Sequence, residues 1–149
     1  MISIFTQGIV YKTNNKKILK KWLIKIAEQN NKSVGILNII FCSNSNIKKL
    51  NKKFLKHDYY TDVITFDYSD IYKKKKIFGD IFISIHTVRK NAKIYNVSFH
   101  NELLRIMSHG ILHLIGYKDD TEINSIEMKN NEDISIKLYN ELLINADEK

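Results

Sequence analysis

The stretch Ser108-HGILHLIGYKD-Asp120 decides how this chain is read. Two histidines, His109 and His113, stand four residues apart in an apolar segment that Gly116 interrupts, and two aspartates, Asp119 and Asp120, follow. On an α-helix, residues four apart project from one face, so the two imidazoles can reach a common point. Glycine takes left-handed backbone at little cost and so suits a helix stop. Past that stop the chain reverses, and Asp119 can return a carboxylate toward the imidazoles. Two histidines and one carboxylate leave a fourth position open on Zn²⁺, an arrangement that activates water near neutral pH. A plainer reading stands beside this one. Leu104, Ile111, Leu112, Leu114 and Ile115 make the helix strongly apolar, so the histidines could be satisfied core groups. Asp119, Asp120 and Thr121 could cap the next helix. A protease of the His-Glu type is disfavoured, because Gly110 occupies the place of that chemistry's general base.

Working outward, the elements alternate. Ile2–Thr6 reads as a short strand, and residues 14–30 as a helix capped by Thr13, with Ile18, Leu19, Trp22, Leu23 and Ile26 at helical spacing. Val34–Cys42 is an apolar strand of the kind buried on both faces. Residues 43–56 form a helix with Asn44 or Ser45 as cap and Ile47, Leu50 and Phe54 on its apolar side. Residues 61–68 and 77–85 are two strands of an antiparallel hairpin, joined by a lysine-rich loop in which Lys73 to Lys76 are solvated. A short helix over 86–96, a longer one over 99–115 and a last one over 122–144 complete the chain. In the last helix Ile126, Ile134, Leu138 and Leu142 are the apolar positions, and residues 145–149 read as a frayed tail. No repeat, linker or composition break divides the 149 residues, so one domain is expected. The fold class is α+β: a small mixed sheet of about four strands with helices packed on it and the metal site at the end of a long helix.

Composition narrows the chemistry. The single cysteine, Cys42, excludes both a disulfide framework and a cysteine zinc cluster. No secretory signal pattern and no run of about 20 apolar residues is visible, so a cytoplasmic protein with no membrane partner is expected. The net charge of +8 suits a phosphate backbone. Yet the basic residues are lysines except for Arg89 and Arg105, in a chain rich in Ile and Asn and without proline. An AT-rich genome would write that bias whatever the function.

The segment His109–Asp119, HGILHLIGYKD, resembles the signature HGxLHLxGYDH of the YbeY family, metal-dependent endoribonucleases of rRNA maturation. Leu50–Phe66, LNKKFLKHDYYTDVITF, resembles the family segment LNxxYRxxDxPTDVLSF, and Gly79–Ser84, GDIFIS, resembles its GDIxIS strand. The resemblance covers most of the chain. It implies a single-strand-specific endoribonuclease acting in 16S rRNA maturation and ribosome quality control, with the small ribosomal subunit and its assembly proteins as partners. It also implies one metal ion, with Zn²⁺ the default, on His109, His113 and Asp119, and a metal-activated water as nucleophile. No side chain identifies itself as general acid or base.

Two departures from the family pattern matter. Asp119 stands where the signature has its third histidine, which makes this a variant site differing by one unit of charge, with Asp120 as fallback ligand. Leu55 stands where the family has an arginine. Lys53 and Lys56 are the first candidates to hold the RNA backbone, with Arg105 third, and His57 lies in the same segment. A lysine does not reproduce a guanidinium fork. Phe54 and Tyr117 are aromatics that could stack on unpaired bases or pack in the core. Thr61 and Asp62 are read as turn or cap residues, and His86 and His100 as outside the metal site. Two alternatives remain open here: a ribosome-assembly factor whose metal is structural, and a metal hydrolase of another substrate.

Overall fold

The computed structural model describes residues 1–54, 63–72 and 75–147. A four-stranded sheet has the order β1-β2-β4-β3, where β1 is Ile2–Gln7, β2 Ser33–Cys42, β3 Val63–Asp67 and β4 Lys76–Ser84. β1 and β4 both run parallel to β2, and β3 runs antiparallel to β4 with Ile64 opposite Phe82. The expected mixed sheet and the hairpin are both present. Parallel neighbours need crossover connections. Helix α1 (Lys16–Gln29) supplies the first, and α2 (Asn44–Phe54) begins the second.

Central placement explains the composition of β2. Leu37, Ile39 and Phe41 bury on one face, while Ile40 and Cys42 bury on the other. The first face carries the main core, a single cluster that includes Ile81 and Ile83 of β4 and Leu19, Trp22, Leu23 and Ile26 of α1. On the second face a smaller cluster joins Cys42, Ile47 and Ile64 to Leu50, Phe66 and Phe82. Burial pushes the Cys42 thiol up to about 12, which leaves no thiolate nucleophile there.

Three more long helices follow the short α3 (Ser69–Tyr72), which replaces part of the expected loop between β3 and β4. They are α4 (Ile85–Ile94), α5 (Phe99–Ile115) and α6 (Glu122–Asp147). Lys75 and Lys76 are exposed, as expected of a solvated run, and Lys73 and Lys74 lie outside the described residues. Helix α5 lies directly on the sheet, and Gly110 is the reason. A Cβ built there would come within 2.8 Å of Ile81 Cγ2 and 3.0 Å of Ile81 Cδ1. The glycine between the two histidines therefore serves packing.

Local details differ from the sequence reading. The residue before α1 is Asn15, in left-handed backbone at φ 56°, and it makes no side-chain cap, so Thr13 is not the cap. At α2 the cap is Ser43, whose Oγ accepts from the Asn46 amide at 3.2 Å; Asn44 and Ser45 already lie inside the helix. Helix α6 continues through Asn145–Asp147, so that part of the expected tail is helical. Of its expected apolar positions, Leu138 and Leu142 pack against the core, but the centre of the buried face lies elsewhere. Met128, Glu132, Ser135, Ile136 and Tyr139 are buried, whereas Ile126 and Ile134 are each 56% exposed. Trp22 sets that phase: its Nε1 donates to the Ser135 carbonyl at 2.7 Å and its ring meets Tyr139 edge-on.

Gly110→Val should crowd Ile81 and cost on the order of 3 kcal/mol, as overpacking does in close-packed cores. For a domain of this size that corresponds to a melting temperature lower by roughly 6–12 °C. Calorimetry on the metal-free protein checks it, and an unchanged transition would show that α5 is free to lift from β4.

Candidate metal centre

Helix α5 is capped at its start by Ser98, whose Oγ accepts from the Asn101 amide at 3.0 Å, and it runs to Ile115. With Gly110 turned into the sheet, His109 and His113 emerge together at the helix edge, half-buried. Gly116 stops the helix at φ 129°, with its amide donating to the Leu112 and His113 carbonyls. That backbone angle is a glycine conformation. The chain then folds back, and the Tyr117 amide donates to the Leu112 carbonyl at 3.0 Å. The Tyr117 hydroxyl donates to Asn30 Oδ1 at 2.7 Å, which fastens the turn to the end of α1. Tyr117 is thus an anchor packed against the core. The side chain of Phe54, the other aromatic candidate, is not among those described.

The turn brings Asp119 over the histidines. Asp119 Oδ2 lies 3.4 Å from Nε2 of both His109 and His113, and the two Nε2 atoms are 3.0 Å apart. Asp120 points elsewhere: its Oδ1 accepts from Asn124 Nδ2 at 2.8 Å, a bond that holds its carboxyl below the usual range. Thr121 caps α6, its Oγ1 accepting from the Asn124 amide at 3.1 Å. Asp119 thus joins the histidines, while the cap of α6 is Thr121 and Asp120 bonds only the Asn124 side chain.

The remaining ring nitrogens assign the tautomers. His109 Nδ1 is 2.7 Å from Glu132 Oε2, and His113 Nδ1 is 3.1 Å from the Tyr117 carbonyl oxygen. A carboxylate and a backbone carbonyl are acceptors only, so each Nδ1 carries a hydrogen, and in the neutral tautomer each Nε2 presents a lone pair. Two lone pairs and a carboxylate oxygen consequently face one another across about one atom's width. Acceptors placed so closely repel unless something positive lies between them. A tetrahedral shell with bonds of 2.0–2.1 Å has edges of roughly 3.3–3.4 Å, close to the three separations here. The donor set fits a divalent cation. Among the described residues, His109, His113 and Asp119 form the one group that could hold a metal through three such side chains.

The family model described as Endoribonuclease YbeY matches residues 3–140. The chain belongs to the YbeY family. It is 43% identical over 137 residues to the endoribonuclease YbeY of Cytophaga hutchinsonii, covering 92% of this chain and 94% of that one. It is 43% identical over 133 residues to that of Amoebophilus asiaticus, with 89% of each chain covered. The solution structure of a Thermotoga maritima protein superposes with a TM-score of 0.66 at 31% identity, covering 100% of this chain and 96% of that one.

The other candidate residues are scattered. Lys53 is exposed on the last turn of α2. Lys56, with Leu55, His57, Thr61 and Asp62, lies outside the described residues. Arg105, one helical turn before His109, donates from Nη1 to Glu132 Oε1 at 3.0 Å and from Nη2 to Asp133 Oδ1 at 2.7 Å. It also lines a cleft of about 500 Å³ beside the trio, with His109, Asp119, Glu132, Met128 and Tyr95. His100 packs against Tyr139, where burial lowers its pKa, and His86 sits in the first turn of α4.

Glu132 is the site residue that sequence reasoning missed. The signal was present: an acidic residue at helical spacing from Met128, Ser135, Ile136 and Tyr139 lies in the stripe α6 buries. The apolar positions Ile126, Ile134, Leu138 and Leu142 centre a face rotated away from that stripe.

Replacing Gly116 by alanine should cost about 1–3 kcal/mol, because φ 129° is hostile to a Cβ even though open space surrounds it. Urea unfolding of the metal-free variant measures this. A midpoint equal to the parent's would mean that the turn relaxes without strain.

Proposed function

We propose that this protein is a metal-dependent endoribonuclease of rRNA processing that cuts single-stranded RNA in 16S rRNA maturation and ribosome quality control. The convergence of His109, His113 and Asp119 carries the reading, in a chain whose relatives are endoribonucleases over nearly their full length. Those three residues would hold one ion per chain. Two imidazole nitrogens and one carboxylate oxygen make Zn²⁺ the first choice. A divalent cation held there supplies Lewis acidity toward a phosphoryl oxygen and makes water a nucleophile near neutral pH.

The chain's own residues do the rest. The Tyr117 carbonyl, accepting from His113 Nδ1, keeps that ring's Nε2 aimed at the common point. Asp119 contributes its charge from the open side, where its side chain is 45% exposed and an extended strand can approach. With two neutral imidazoles and one carboxylate, the donor set carries −1, so a dication leaves +1 at the site, one unit less than three histidines would. Lys53 and Lys56 are proposed to hold the RNA backbone. Arg105, with N–H groups beyond the two already bonded and its side chain 29% exposed at the cleft, would add a third cation. The net +8 of the chain favours association with a polyanion, here the small ribosomal subunit with its assembly proteins in the cytoplasm.

Nuclease-free protein incubated with single-stranded RNA should cleave it, stop when a chelator is added, and resume when the ion is restored. His113→Ala should lower the rate at least a hundredfold, since it removes one of three donors. Cleavage that persists in the chelator or in His113→Ala would remove the trio from the chemistry.

A further inference from the structure

We propose that Glu132 is the positioning residue of this metal centre, fixing the His109 ring through Nδ1 while Arg105 holds the carboxylate in place. The inference rests on the reading of His109, His113 and Asp119 as metal ligands. Its basis is how the carboxylate divides its oxygens. Glu132 is only 7% exposed, and a carboxylate removed from water needs a partner for each oxygen. Oε1 takes the Arg105 guanidinium at 3.0 Å, and Oε2 takes His109 Nδ1 at 2.7 Å. Arg105 sends its second nitrogen to Asp133 and does not close a two-pronged pair on Glu132. One oxygen is thereby left for the imidazole.

Arg105 and His109 are four residues apart on α5, so both meet α6 on the same face. A clamp between the helices would be complete with Arg105 alone. The bond to His109 adds something a clamp does not need: it sets the tautomer, holds the ring plane and makes Nε2 a stronger donor toward a cation. The two histidines differ in this respect. A backbone carbonyl holds His113, whereas a charged side chain 23 residues away holds His109. The donor strength of His109 is therefore open to tuning by substitution at one position.

Gln at 132 is the informative variant. Its amide oxygen could still accept from His109, but its NH₂ would then face the Arg105 guanidinium, and the negative charge is gone. Full-length protein stripped by chelation is titrated with Co²⁺, followed by visible absorption, and with Zn²⁺ in competition with a chromophoric chelator. Glu132→Gln should weaken Zn²⁺ binding about ten- to a hundredfold and alter the Co²⁺ spectrum, and Glu132→Asp should recover part of both. Wild-type affinity together with a wild-type Co²⁺ spectrum in Glu132→Gln would overturn the positioning role and leave the ligand assignment standing. If wild-type protein binds neither ion, the ligand assignment itself fails, and the inference with it. Should circular dichroism show Glu132→Gln unfolded, Glu132→Asp decides by the same two readouts. An unchanged spectrum and affinity there would overturn the proposal.

Discussion

The contact on which everything near the site depends is that of α5 with β4, where Gly110 meets Ile81 without an intervening side chain. Helix and strand approach this closely only because one residue contributes no Cβ. With that face of the helix pressed to the sheet, its orientation about its own axis is set, and so is the direction of every other side chain on it. His109 and His113 leave at the edge, and Arg105, one turn earlier, leaves beside them. The packing of the core and the aim of the imidazoles are one constraint seen from two sides.

The second layer of organisation is electrostatic. Three acceptors gathered within 3.0 to 3.4 Å of one another would not be a low-energy arrangement for an isolated peptide. Here they are held from behind: His109 by Glu132, His113 by the Tyr117 carbonyl, and Asp119 by a turn that Gly116 begins and Tyr117 anchors. Folding supplies the force that keeps like groups together, and a cation is the natural complement of what it gathers. Asp119 in place of a third histidine changes the charge of that gathering and leaves its geometry suitable.

Much of this was legible in the residues themselves. The four-residue spacing of the histidines, the glycine stop and the trailing aspartate made the trio one of two readings, which the resemblance to YbeY favoured, and period-two and helical patterns gave the sheet and its helices. The resemblance to YbeY supplied the reaction, which spacing alone could not. The losses have physical causes. Caps depend on which polar side chain reaches an amide first, and Ser43 wins over Asn44 and Ser45 by backbone geometry that no composition shows. In α6, Leu138 and Leu142 pack on the core as apolar residues should, but Ile126 and Ile134 face outward because Trp22 and the Arg105 pair draw in the neighbouring stripe. Glu132 lies in that stripe, so its spacing from Met128, Ile136 and Tyr139 marks it as buried, while its partners show only in the fold.

The hydrogen bond from the Tyr117 hydroxyl to Asn30 spans 87 residues. It ties the loop that carries Asp119 to the C-terminal end of the first helix, outside the hairpin that bears the other donors. A transplanted α5–α6 hairpin would thus bring both imidazoles and Glu132 into a new scaffold but leave the aspartate loop without its mooring. As a module for protein engineering, the minimal portable unit includes the end of α1.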